Sequence, residues 1–543
     1  MPSVSAVEAD DKRVDLQVEN AYEGEHVAAK AIDAQRAASR EHSLSPLAAF
    51  KAYKKAICWS VLVSMVIVME SYDTILVVSF FAYPTFQQQF GDKLANGSYS
   101  VPPQWQSAMS LGASVGIIIG IFLNGQIIDR FGIRSDPASG LIVAHPNVAK
   151  RILLASLFVL TGFIGIVFAA TSRGMFLAIL CGIPWGTMNV IAPAYAIETA
   201  PLALRHYGPS FVNLCWVIGH IIGAGVLTGL VGDKTVWGWK IPLALQWVFP
   251  VPLFAAILFA PESPWWLVRR GRHEEALKSV KRLADNTVDH DEVVALIDHT
   301  VKLEREMNFG SSYLDCFKGV DLRRTEIAVV CWCAQTFVGF SIHGMASSDS
   351  FKLTLGTYSI AFVGTALAMP LQQRFDRKTI WMAGICCMLP VMLAVGIMAC
   401  MTQTKALQWA QGCILLVWFF CYGWSVGPLP YVICSEIGSA QLRQKTIAIA
   451  RGSYYITQIV NTVAAPYILN PTAANLKGKA GFIPTGLMVL LLAWSFFRLP
   501  ETKGRNFEEL DIMFAKKVPA RKFKSYVIQA EEEFGVEAKV SAQ

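Results

Sequence analysis

Apolar runs of about twenty residues recur along most of the chain, and no other feature limits its possible folds so severely. A helix of that length crosses the hydrocarbon core of a bilayer. Twelve such runs lie near 56–81, 105–124, 152–170, 174–195, 210–231, 241–260, 326–346, 353–371, 379–400, 407–432, 446–469 and 481–499. Composition points the same way: 54% of the 543 residues are hydrophobic and 16% are charged, where a soluble domain carries about 25% charged residues. The chain reads as an all-α polytopic membrane protein.

The runs fall into two related sets. YAIETAPLALR (Tyr195–Arg205) has a counterpart in YVICSEIGSAQLR (Tyr431–Arg443), and in each a Glu precedes an Arg by seven positions. Glu198 and Glu436 stand 238 residues apart, as do Arg205 and Arg443, and PES at Pro261 and PET at Pro500 keep nearly that offset. Two signatures at one spacing imply two six-helix bundles in pseudo-symmetric arrangement. With an even number of spans in each half the repeat is parallel, its axis lies along the membrane normal, and a central site lies between the halves. Duplication of this kind is typical of alternating-access carriers; a receptor or a membrane-embedded enzyme is the alternative. The expected organisation is an N-terminal tail (1–50), a first bundle (51–260), a polar linker with short helices (261–325), a second bundle (326–499) and a C-terminal tail (500–543).

Charge placement orients these pieces. Lys51, Lys54 and Lys55 precede the first run, and Arg374, Arg377, Lys378, Arg443, Lys445 and Arg451 cluster at alternate loops. By the positive-inside rule these loops and both termini are cytoplasmic. The net charge of +7 is thus explained by topology, with no nucleic-acid partner required. Asn96 heads an N-x-S sequon in a loop assigned to the outside, a candidate glycosylation site. The cysteines lack zinc spacing, no nucleophile–base or phosphate-loop motif stands out, and RHEEAL (272–277) has only one of the two His of a zinc helix. No cofactor, metal or enzymatic activity is expected.

Particular strings resemble a known family. GQIIDRFGIR (125–134) resembles the loop signature of the major facilitator superfamily, and PESPWWLVRRGR with PETKGR resembles the paired signatures of its sugar porter branch. CGIPWG (181–186), APAYAIETAPLALR (192–205), GPLPYVICSEIGSAQLRQKT (427–446) and RLPETKGRNFEELD (498–511) are similar to fungal maltose and α-glucoside permeases. The resemblance implies a monomeric sugar carrier in the plasma membrane, an α-glucoside or hexose as cargo, and proton symport. It also implies a charge network that latches the cytoplasmic side, formed by Asp129, Arg130, Arg134, Glu198 and Arg205 in the first half and Arg374, Glu436 and Arg443 in the second.

Asp73 is the sharpest single residue. It lies inside the first run, where a bare carboxylate is costly, and it matches the acidic residue that the family uses in proton coupling. Glu70 lies one turn earlier. Sugar hydroxyls need side chains that donate and accept among aromatic faces, and the resemblance nominates Gln335, His220, Tyr431, Tyr455 and Gln458. Each could instead bond a neighbouring helix.

Several positions depart from the family pattern. His220 stands where Gln is usual, Ala178 where Arg or Gln is usual, Ser71 for Gly and Asp376 for Gly. The stretch after Gly339 is short, and SDPASGLIVAHPN (135–147) reads as an insertion. These departures leave open a carrier repurposed for a specialised metabolite, with a transporter-like nutrient sensor as a third reading.

Overall fold

The computed structural model describes residues 46–526 apart from 81–82, 94–98, 103–110, 125–147, 170–177, 202–203, 205–206, 231, 234, 307–311, 339–346, 403, 440–441 and 470–476. Each expected run contains helix. In the first half these are α1 (Lys54–Phe80), α2 (Leu111–Asn124), α3 (Val148–Ala169), α4 (Ala178–Glu198), α5 (Tyr207–Leu230) and α6 (Trp237–Phe259). The linker forms α7 (Pro264–Arg269), α8 (His273–Leu283) and α9 (His290–Glu306). The second half has α10 (Gly319–Phe337), α11 (Ser347–Arg374), α12 (Arg377–Ala399), α13 (Lys405–Trp424), α14 (Leu429–Ile437), α15 (Arg443–Leu469) and α16 (Phe482–Arg498), followed by α17 (Phe507–Ala515).

The helices bury their polar residues and expose apolar ones, the reverse of a soluble bundle. Phe158, Val251 and Leu490 are 75%, 73% and 68% exposed, whereas Glu70, Asp73, Arg443 and Arg451 are buried. Small residues set how closely helices approach. A Cβ on Gly120 of α2 would lie 2.1 Å from the Ile183 carbonyl oxygen of α4, and one on Gly219 of α5 would lie 1.9 Å from Ser71 Oγ of α1. The Ser71 hydroxyl uses this proximity to donate to the Trp216 carbonyl at 2.7 Å.

Two spans are interrupted. Pro250 starts the second part of α6 after a 3₁₀ turn at Gln246–Val248, since proline cannot donate in a helix interior. The tenth span breaks between α13 and α14, at Ser425–Pro428.

The linker helices cover the end of the bundle where α1 begins. Tyr53 and Ala56 pack on Val280 and Leu283 of α8 and on Ala284 just after it, and Lys54 pairs with Asp285 at 3.3 Å. Chain beyond α16 folds back on the same end. Leu510, Met513, Phe514, Val518 and Phe523 join the core of the second half, while Phe507 joins Trp265 and Ile197 in the linker's apolar cluster.

Candidate functional site

Two turns in from the linker end of α15, the two halves meet around Arg451. It lies eight residues into α15, about 12 Å from the helix start at 1.5 Å per residue, and is 3% exposed. This differs from the expectation that Arg451 is a loop cation: α15 begins at Arg443, so Arg451 is already two turns inside. Four aromatic rings surround its guanidinium, with centroids at 4.1 Å for Trp332, 5.1 Å for Tyr431, 5.4 Å for Tyr454 and 5.7 Å for Tyr455. Such faces attract a desolvated cation. The guanidinium donates to Tyr431 Oη at 3.2 Å and, across the halves, to Asn189 Oδ1 of α4.

Asn189 relays this contact to the first half. Its amide nitrogen donates to Glu70 Oε1 at 2.7 Å and lies 3.3 Å from Tyr455 Oη. One helical turn on from Glu70, Asp73 Oδ2 accepts from the Trp185 indole at 3.1 Å. Glu70 Oε2 and Asp73 Oδ1 have no hydrogen-bond partner among the described residues. The site therefore gathers two buried carboxyls, one guanidinium, one amide and a wall of aromatic faces, with Asn189 bridging the charges. Ala178, where Arg or Gln is usual in the family that the chain resembles, begins α4, and Trp185 two turns later is the residue that bonds Asp73.

The nominated sugar contacts divide. Tyr431 and Tyr455 belong to the Arg451 cluster. Gln335 instead donates to the carbonyls of Gly427 at 2.7 Å and Val426 at 3.4 Å. The break before α14 frees those carbonyls, and irregular backbone at membrane depth must be satisfied by neighbouring protein. His220 is 5% exposed, packed between Trp216 and Tyr358 with ring centroids at 3.8 and 4.6 Å. Its Nδ1 sits 3.0 Å from the Trp216 carbonyl, so that nitrogen carries a proton. Gln458 lies one turn beyond Tyr454 on α15, half-buried.

At the linker end a second set of charges joins the halves. Glu198 accepts from Arg269 at 2.8 Å and from the Ser263 hydroxyl, and Arg443 of the second half approaches it at 3.8 Å. The Arg443 guanidinium stacks 3.7 Å above the Phe507 ring. Within the second half the partner of Glu436 is Arg377, in a fork at 2.7 and 3.0 Å, with Thr502 adding a third bond at 2.6 Å. This corrects the expected set. Arg374 is exposed on the last turn of α11, whereas Arg377 opens α12 and turns inward. Arg443 faces Glu198, not its own repeat's Glu436. Nearby, Glu262 of the PES string is pushed up to about 7 by burial, which outweighs the neighbouring Lys150 and Arg272. Asn96, Asp129, Arg130, Arg134 and Arg205 lie outside the described residues.

Sequence reasoning misses Asn189, Trp185, Trp332 and the role of Arg451. Asn189 within an apolar run, where an unpaired amide is costly, is the one signal that could expose the cluster.

Known proteins share both the sequence and the fold. The family model described as "Sugar (and other) transporter" matches residues 59–514. The general alpha-glucoside permease of Saccharomyces cerevisiae (strain ATCC 204508 / S288c) is 36% identical over 517 residues, 91% of this chain and 81% of that one. Maltose permease MAL31 of the same strain is 34% identical over 514 residues with the same coverage. Among solved structures, the proton:xylose symporter XylE bound to 6-bromo-6-deoxy-D-glucose has a TM-score of 0.70 at 21% identity, covering 85% of this chain and 99% of that one. Inward-open XylE from E. coli has a TM-score of 0.58 at 20% identity, with coverages of 84% and 99%. Likeness at that identity is one of fold.

Proposed function

Given that this chain belongs to the sugar porter branch of the major facilitator superfamily, we propose that it carries an α-glucoside or a hexose across the plasma membrane together with protons, by alternating access. The observation that carries this reading is the buried cluster of Glu70, Asp73, Asn189 and Arg451 between the halves. A buried charge is tolerated when it is paired. Arg451 offsets one carboxylate through Asn189, which leaves Asp73 as the group that takes up and releases the coupled proton. Asn189, Tyr431, Tyr455 and Gln458 offer groups that donate and accept, beside the faces of Trp332 and Tyr454, which suits the hydroxyls and apolar faces of a sugar.

The linker end is cytoplasmic and both termini lie on that side. There Glu198, Arg269 and Arg443, with Glu436 and Arg377, latch the cytoplasmic exit, and Asp129, Arg130, Arg134 and Arg205 complete the latch in the first half. The carrier works as a monomer, and Asn96 is glycosylated outside. Uptake of labelled maltose and glucose in transporter-null cells, with and without an uncoupler, tests this directly. Uncoupler-sensitive accumulation of one of them is expected. Uptake of neither would sink the sugar reading, and accumulation indifferent to the uncoupler would sink the proton.

A second reading, export of a specialised metabolite by the same machinery, draws support from His220 and Gln335. His220 spends one ring nitrogen on the Trp216 carbonyl and Gln335 its amide N–H on the carbonyls of Val426 and Gly427, which leaves the pocket fewer polar groups for a sugar.

A further inference from the structure

The chain from 516 to 526 holds five cations, Lys516, Lys517, Arg521, Lys522 and Lys524, and no acid. It is docked firmly. Phe523 and Val518 are buried against the second half, Arg323 donates to the Val518 carbonyl at 2.7 Å, and Arg505 donates to the carbonyls of Phe523 at 3.2 Å and Tyr526 at 2.5 Å. Its cations are therefore presented at set positions, with little ordering left to do on binding.

Arg521 among them is presented to the outer wall of the bundle. Phe496 and Phe497, on the last turn of α16, are 45% and 62% exposed, as lipid-facing rings are. The Arg521 guanidinium sits 4.2 and 4.7 Å from their centroids. Lys378 Nζ lies 5.9 Å from the Phe496 centroid and donates to the Phe496 carbonyl at 2.9 Å. The acids near this rim each already have a partner, and Glu501 sits against the Lys378 backbone. Glu326 is held by Arg498, Asp376 by Lys524 at 2.6 Å, and Glu501 by the backbone amides of Arg377 and Lys378 at 3.1 and 3.0 Å. Arg521 has no carboxylate partner among the described residues.

Exposed aromatic rings with cations above them complement, in order, the acyl chain and phosphate of a phospholipid. We propose that the pair Arg521 and Lys378 above Phe496 and Phe497 binds the headgroup of an anionic phospholipid and so holds the docked segment against the second half. A lipid at this rim requires only that α16 span the bilayer, whatever the cargo.

The test uses purified full-length protein in mild detergent, titrated with dioleoylphosphatidylserine, dioleoylphosphatidylcholine or inorganic phosphate. Retained lipid is counted by native mass spectrometry, and unfolding is followed by tryptophan fluorescence. Phosphatidylserine should be retained and should raise Tm, while phosphatidylcholine and phosphate should not. The double variant R521Q/K378Q should weaken retention on the order of tenfold. Equal effects of the two lipids, unchanged retention by the variant, or a Tm rise reproduced by phosphate would each overturn the proposal. Should the variant not fold, the wild-type protein decides: the phosphatidylserine effect must fade between about 0.05 M and about 0.5 M salt, and a salt-independent effect would refute an electrostatic headgroup site.

Discussion

Asp73 and Glu70 show how much one helical turn can matter. Both are carboxyls on one face of α1, yet Glu70 is joined to Arg451 through Asn189 while Asp73, among the described residues, bonds the Trp185 indole alone. Asp73→Asn keeps the bond from Trp185 and removes the titratable proton. Downhill exchange of substrate across vesicles should persist, and accumulation against a gradient should be lost. An Asp73→Asn carrier that still accumulates would shift the proton to another group. Glu262 makes a separate prediction at the linker end. Its folded value of about 7 lies above the ordinary 4.5. Below about pH 4.5 it is protonated folded or unfolded, and burial of its charge costs nothing. As pH rises through the interval to about 7 the unfolded chain gives up the proton first, so native stability falls. Glu262→Gln should flatten this dependence, with its Tm advantage over wild type larger at about pH 8 than at about pH 5. Parallel Tm profiles for the two proteins would contradict that assignment.

Among the helices, close approach does what apolar burial does in a soluble core. Gly219 lets α5 touch α1 at Ser71, and a larger side chain there meets both Ser71 Oγ and the Val68 carbonyl. Overpacking of this kind typically costs about 1–3 kcal/mol. Gly219→Val should therefore lower Tm and the monodisperse fraction on size exclusion, whereas Gly225→Val, with open space around it, should leave both near wild type. The helices and their pairing into halves are legible in the sequence because they depend on run length and on a repeated spacing. The partners of charged residues are not. Arg374 and Arg377 stand three residues apart in one basic cluster, and only the start of α12 decides that Arg377 turns inward to Glu436. Arg451 reads as a loop cation because distance from a helix start cannot be judged until that start is known. The bond from Gln335 to the freed carbonyls before α14 is likewise not legible, because nothing in a sequence announces that break.

For the whole molecule, the contacts between the halves decide how it can move. Arg443 reaches Glu198 at the linker end and Arg451 reaches Asn189 two turns farther in. Arg443→Gln should loosen the linker end, raising hydrogen–deuterium exchange in α8 and α17 while α12 stays protected; unchanged exchange in α8 and α17 would mean Arg443 holds nothing there. The two arginines have a joint consequence because they sit on one helix. α15 is a stiff rod clasped at two heights, about 12 Å apart by helix rise. It cannot pivot about either clasp while the other is shut. Opening at the two heights is then coupled, and removing one clasp should weaken the other. A double-mutant cycle on Arg443 and Asn189 would then be non-additive, although the two residues belong to opposite halves of the carrier.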